Sequence, residues 1–149
     1  MPLDPKATVR DGYLLLTTAA RLVQRRHEDA LAPLGLTRAA VIALKAVAPC
    51  PLNQEQLAAK VYVQSQSLGR VLTRLETEGL VTRKRDLQDR RQFQVQITPS
   101  GEAVLSAARE AENAAVSADF DGWEILWDQL ASFVDSLQNP RPARRPTGH

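Results

Sequence analysis

The chain has 149 residues, 44% of them apolar and 24% charged, with a formal net charge of +2. That is one domain's worth of sequence with enough apolar content for a core, which excludes global disorder and a pair of independent cores. No 18-residue apolar run and no secretory leader pattern is present, so the cytoplasm is the expected compartment. Cys50 has no second cysteine to pair with.

Charge is unevenly spread. Residues 1–59 carry seven basic and five acidic side chains, and residues 60–91 carry eight and four. Residues 99–138 carry one basic and eight acidic, and the tail from Asn139 adds three arginines. A basic middle beside an acidic C-terminal pair of helices favours nucleic acid as the partner of the middle, although solvated helix faces give charge runs too.

In chain order, a first helix is predicted from about Thr8 to Ala32, with Tyr13, Leu16, Ala20, Val23, His27 and Leu31 at helical spacing. Leu14, Leu15 and Leu22 widen its apolar surface, as in a helix that touches both a core and a partner. His27 stands as either an ordinary boundary residue or a pH-sensing group. Gly35 ends this segment in a left-handed conformation and Thr37 caps a second helix, about Arg38 to Val47. Pro49-Cys50-Pro51 forces an extended break. Asn53 and Gln56 form a capping box for a short helix whose inner face is Leu57, Ala58 and Val61.

After a turn at Tyr62-Val63 a further helix starts near Gln64, held by Leu68, Val71, Leu72 and Leu75. Its other edge carries Ser65, Gln66, Gly69, Arg70 and Thr73, donors and acceptors of the kind that base edges and phosphates require. Gly69 marks either close approach of a sugar-phosphate wall or a tolerated surface glycine. Gly79 stops the helix, and a strand begins at Leu80-Val81-Thr82. A second strand, residues 92–97, places Phe93, Val95 and Ile97 toward the core by alternation. Between them Asp86 to Arg91 form a hairpin tip, where the Asp89 carboxylate is expected to hold the Arg91 guanidinium extended for a narrow groove.

L-x-x-L-x-x-x-G-L-V from Leu72 to Val81, D-R-R at 89–91 and V-Q-I-T-P-S-G at 95–101 resemble the MarR family of bacterial transcription regulators. Leu34-Gly35-Leu36-Thr37 and Leu52 to Leu57 extend the resemblance over nearly the whole chain. It implies a mainly α fold with a small β-wing: a winged helix-turn-helix over 37–98 and dimerisation helices over 8–32 and 99–138, one domain spanning 1–138. Matched by position, Gln64, Ser65, Gln66, Ser67 and Arg70 are the major-groove residues, and Asp89 with Arg91 is the wing's Asp-x-Arg. Arg90, Arg83, Lys84 and Arg85 are phosphate-contacting or solvated, and Arg74 lies near the helix's far end.

Thr98 caps the next helix, with Pro99 at its first position and an expected inner edge of Ala103, Ala107, Ala111, Ala114, Ala115 and Ala118. Asp121 with Glu124 reads as a further cap, before Trp123, Leu126, Trp127, Leu130, Phe133, Val134 and Leu137. These aromatics either anchor a second subunit or cover the monomer's own core. The tail 139–149 reads as disordered.

No metal-ligand spacing, phosphate loop or nucleophile beside a base occurs, so no enzyme, metal or cofactor is expected. The resemblance implies a homodimeric repressor on double-stranded DNA at a pseudo-palindromic operator. It also implies relief by a small aromatic or phenolic ligand, lined here by Tyr13, Thr17 and Arg21. Two alternatives stay open: a thiol-based sensor acting through Cys50, and a winged-helix protein-protein module without DNA binding.

Overall fold

A computed structural model of the chain describes residues 5–61, 65–117 and 120–141, with side chains over 8–61, 67–116 and 120–141. Gln64, the turn at Tyr62-Val63, Ala118 and the tail from Pro142 lie outside the described residues. The chain divides into two compact units, Met1–Val116 and Ser117–His149.

In the first unit, α1 (Pro5–Leu31) runs into a 3-10 turn (Ala32–Leu34), then α2 (Arg38–Val47), β1 (Leu52–Asn53), α3 (Gln54–Val61) and α4 (Ser65–Thr77). β2 (Val81–Arg85), β3 (Phe93–Ile97) and α5 (Pro99–Ser117) follow. Local chemistry sets most boundaries. Ala40 N–H donates to the Thr37 hydroxyl at the start of α2. At α3 the box is reciprocal: Gln56 N–H reaches Asn53 Oδ1 at 2.7 Å, and Asn53 N–H reaches Gln56 Oε1 at 3.0 Å.

Gly35 and Gly79 take φ of 67° and 75°, as expected for left-handed helix ends. At Gly79 the closure is a double one: Leu80 N–H donates to Leu75 O and Gly79 N–H to Glu76 O. Leu75 and Leu80, brought together by that turn, are both buried.

The core is built mainly on α2, which buries Ala40, Val41, Ala43, Leu44, Ala46 and Val47. Leu31, Leu57, Leu68, Leu72, Leu75, Val81, Val95, Leu105 and Ala108 close around it. The sheet is antiparallel in the order β1-β3-β2. β1 pairs Leu52 with Val95 and Asn53 with Gln94. This strand has no signature of its own and exists through its pairing with β3.

Two expectations about inner faces are corrected. Phe93 is 44% exposed while Val95 is fully buried, because the hairpin extends past the core beneath it. Its ring is covered instead by Arg85, directly opposite, with the guanidinium 5.7 Å from the centroid. In α5 the buried line is Gly101, Leu105, Ala108 and Glu112, whereas Ala103 and Ala114 are exposed and Ala107, Ala111 and Ala115 half-buried. Alanines recur at helical spacing on two neighbouring stripes, and the leucine selects which one turns inward.

Thr98 and Gly101 join the wing to α5. The Thr98 hydroxyl donates to Gly79 O at 2.7 Å and accepts Gly101 N–H at 3.0 Å. A Cβ on Gly101 would stand 2.1 Å from the Leu80 carbonyl oxygen, so this contact requires glycine.

The second unit contains α6 (Trp123–Gln138). Its N-cap is Gly122 with no side-chain cap, so the expected Asp121 cap does not form. Phe120 instead packs edge-on against Trp123, ring centroids 5.4 Å apart. α6 buries no residue, and Trp127 and Ile125 are each 73% exposed. No single helix among the described residues is long and apolar enough to cross a membrane.

Candidate nucleic-acid interface

The leucine edge of α4 fixes which side of that helix faces out. With Leu68, Leu72 and Leu75 buried, Ser67, Arg70, Thr73 and Arg74 are exposed. Ser65 and Gln66 lie in the helix's first turn. Gly69 is half-buried, and a Cβ there would meet Gln54 Nε2 at 3.5 Å, an ordinary contact distance. Among the described residues, packing therefore does not demand the glycine.

The wing tip is held by its own aspartates. Gln88 N–H donates to Asp86 Oδ1 at 2.9 Å and Arg91 N–H to Asp89 Oδ1 at 3.0 Å. Backbone bonds from Asp86 N–H to Gln92 O and from Gln92 N–H to Asp89 O close the loop. The Asp89 carboxylate thus fixes the backbone of Arg91; among the described residues it forms no ion pair with the Arg91 guanidinium. A short carboxylate in a tight turn reaches the amide two residues on more readily than a long side chain directed outward. Gln92 Nε2 donates to Glu55 Oε2 at 3.3 Å, which ties the base of the tip to α3.

The basic residues then fall into two groups. Arg70, Lys84, Arg90 and Arg91 are exposed and make no ion pair among the described residues. Arg74 pairs with Glu78, just past the end of α4, at 3.1 Å, and Arg85 lies over Phe93. Arg83 is turned inward. It shares a face of the hairpin with Val81 and Val95, its side chain is 24% exposed, and Nε lies 3.1 Å from Glu76 Oε2. The alternation of β2 carries this signal: position 83 has the parity of buried Val81, so a cation there needs a carboxylate partner.

A cleft of about 220 Å³ lies between the start of α2 and α4, bordered by Leu36, Thr37, Ala40, Arg70, Val71 and Arg74. Of the expected ligand residues, Tyr13 is 69% exposed, Arg21 is exposed, and the Thr17 hydroxyl bonds back to Tyr13 O and Leu14 O. His27 belongs to a cluster that sequence spacing does not reveal: its Nδ1 is 3.8 Å from Glu112 Oε2, the carboxylate that Lys45 Nζ meets at 2.9 Å. Cys50 is exposed with a free thiol. No group of His, Cys, Asp and Glu able to hold a metal occurs among the described residues.

A helix pair whose second member presents polar side chains outward, followed by a hairpin with an exposed basic tip, defines a winged helix-turn-helix DNA-binding protein. The family model for MarR matches residues 49–93, the stretch from α3 to the wing. The transcriptional regulator SarZ of Staphylococcus epidermidis is 26% identical over 138 residues, covering 88% of this chain and 90% of its own. An uncharacterised HTH-type regulator of Bacillus cereus is 41% identical over 71 residues, 48% of this chain and 46% of its own.

Among solved structures, CouR of Rhodococcus jostii, bound to p-coumaroyl-CoA, superposes with a TM-score of 0.75 at 26% identity, over 87% of this chain and 93% of its own. BldR of Sulfolobus solfataricus gives 0.73 at 27% identity, over 89% and 99%. Over residues 49–93 the chain is thus similar to the MarR family, and over most of its length it is similar to transcriptional regulators of the helix-turn-helix type. The family and these relatives are regulators rather than enzymes.

Proposed function

We propose that the protein is a homodimeric repressor acting in the cytoplasm on a pseudo-palindromic operator, released from it by a small molecule. The observation that carries this reading is a pair of exposed cations on one scaffold that make no ion pair among the described residues: Arg70 on the outer edge of α4 and Arg91 at a braced wing tip. Arg70, with Ser65, Gln66, Ser67 and the preceding Gln64, reads base edges in the major groove. Arg91 enters the adjacent minor groove, where negative potential concentrates. Lys84 and Arg90 contact phosphates. Asp89 acts through the backbone it holds.

Dimerisation is supported by exposed apolar side chains on α1, including Tyr13, Leu14 and Leu15, and by Trp127 and Ile125 on α6. A two-fold dimer sets its recognition helices about 34 Å apart, one turn of duplex. CouR's aromatic thioester ligand supports an aromatic or phenolic inducer here, bound near Tyr13, Thr17 and Arg21.

Selection of bound sequences from random duplex tests this reading. An inverted repeat with half-site centres about 10 base pairs apart is expected; recovery of unrelated or non-repeated sequences contradicts it.

A further inference from the structure

Arg83 and Glu76 sit on different elements, β2 and α4, seven residues apart across the Gly79 turn. Their contact is two-pronged, with Nε to Oε2 at 3.1 Å and Nη2 to Oε1 at 3.4 Å. Arg83 Nη2 also donates to the Thr73 hydroxyl at 3.4 Å, and that hydroxyl donates to Gly69 O at 2.9 Å. A continuous polar chain therefore runs from the inner face of the wing to the backbone of α4 one residue before Arg70. A guanidinium held in a fork has one orientation, so the chain resists rotation of the hairpin about the turn that joins it to the helix.

We propose that Arg83 and Glu76 are positioning residues that set the angle between the wing and the recognition helix, so that Arg70 and Arg91 reach adjacent grooves together. Arg83 contributes through this geometry and not as a phosphate contact. The proposal rests on the reading of α4 and the wing as the DNA-contacting elements.

Two accounts of Arg83 predict opposite signs for one substitution. If Arg83 is a phosphate contact restrained by Glu76, then Glu76→Gln releases a cation and removes a negative charge near DNA, and binding tightens. If the pair is a strut, the same change weakens binding. The experiment measures affinity for the selected duplex, together with hydroxyl-radical footprints, for the wild type, Glu76→Gln, Arg83→Met and the double variant. Melting temperatures are measured alongside. Expected are losses of about three- to tenfold in each single variant and a double variant no weaker than the worse single one. Minor-groove protection at the wing should fade before major-groove protection, and the exchanged pair Glu76→Arg with Arg83→Glu should recover part of the loss. Tighter binding by Glu76→Gln, or additive losses in the double variant, overturns the proposal. Glu76 is the more exposed partner, so its variant keeps the test valid even if Arg83→Met fails to fold. A wild type that binds no duplex defeats the DNA-contact reading itself, a result distinct from either outcome for the pair.

Discussion

Lys45 Nζ lies 2.9 Å from Glu112 Oε2, and the two side chains are unequally exposed, 40% for the lysine and 11% for the glutamate. The pair joins α2 to α5, and His27 brings α1 to the same carboxylate. The imbalance predicts an asymmetric response to mutation. Lys45→Met leaves a nearly buried carboxylate without its closest donor and should cost about 1–3 kcal/mol. Glu112→Gln keeps an acceptor in place and leaves a lysine able to turn to water, so its cost should stay below about 1 kcal/mol. Urea unfolding of the two variants checks the order; equal losses would contradict it.

Two glycines should differ for separate physical reasons. Gly79→Ala meets no neighbour but forces a left-handed alanine, at a cost of about 1–2 kcal/mol. Gly101→Ala drives a methyl into the Leu80 carbonyl oxygen, which must displace α5 from the wing and should cost about 3 kcal/mol. Thermal melting should rank Gly101→Ala below Gly79→Ala.

The capping box at α3 gives a milder effect. Asn53→Ala removes the acceptor for Gln56 N–H and should cost about 1 kcal/mol. Faster amide exchange in the first turn of α3, with α5 unaffected, is the expected signature.

The Glu76 carboxyl is held below the ordinary glutamate value, first by the side-chain hydrogen bond from Arg83, with loss of solvent opposing the shift and the Arg83 charge adding to it. A carboxyl lowered on folding stabilises the folded chain above its ordinary value. That contribution disappears as pH falls through the lowered one. At neutral pH the pair is therefore intact, and acid loosens it. Carboxyl carbon shifts should show Glu76 titrating at lower pH in the wild type than in Arg83→Met; identical titrations would contradict the assignment.

Which parts of this molecule are legible in sequence follows from the range of the forces involved. Thr37, Asn53 with Gln56, Thr98 and Gly79 announce helix ends because capping and left-handed turns are chemistry between residues a few positions apart. Leu68, Leu72 and Leu75 announce the buried edge of α4 through period alone. β1 is hidden because two residues have no period, and only β3 makes them a strand. Phe93 has the right parity for the core but lies beyond its limit, a matter of hairpin length. At α6, Asp121 has the right residue type for a cap, yet the Phe120–Trp123 packing leaves Gly122 in that place. Arg83 was decidable in part: strand parity turns it inward, although its partner Glu76 emerges only once the turn has folded.

On the proposed reading Arg70 and Arg91, which make no ion pair among the described residues, present their charge to duplex DNA. The most direct test is the affinity of the chain for duplex as salt is raised, compared with Arg91→Ala. The account predicts a steep linear fall of log affinity with log salt, with the slope smaller by about one for each Arg91 removed. No binding at low salt, or a slope unchanged in Arg91→Ala, would contradict it.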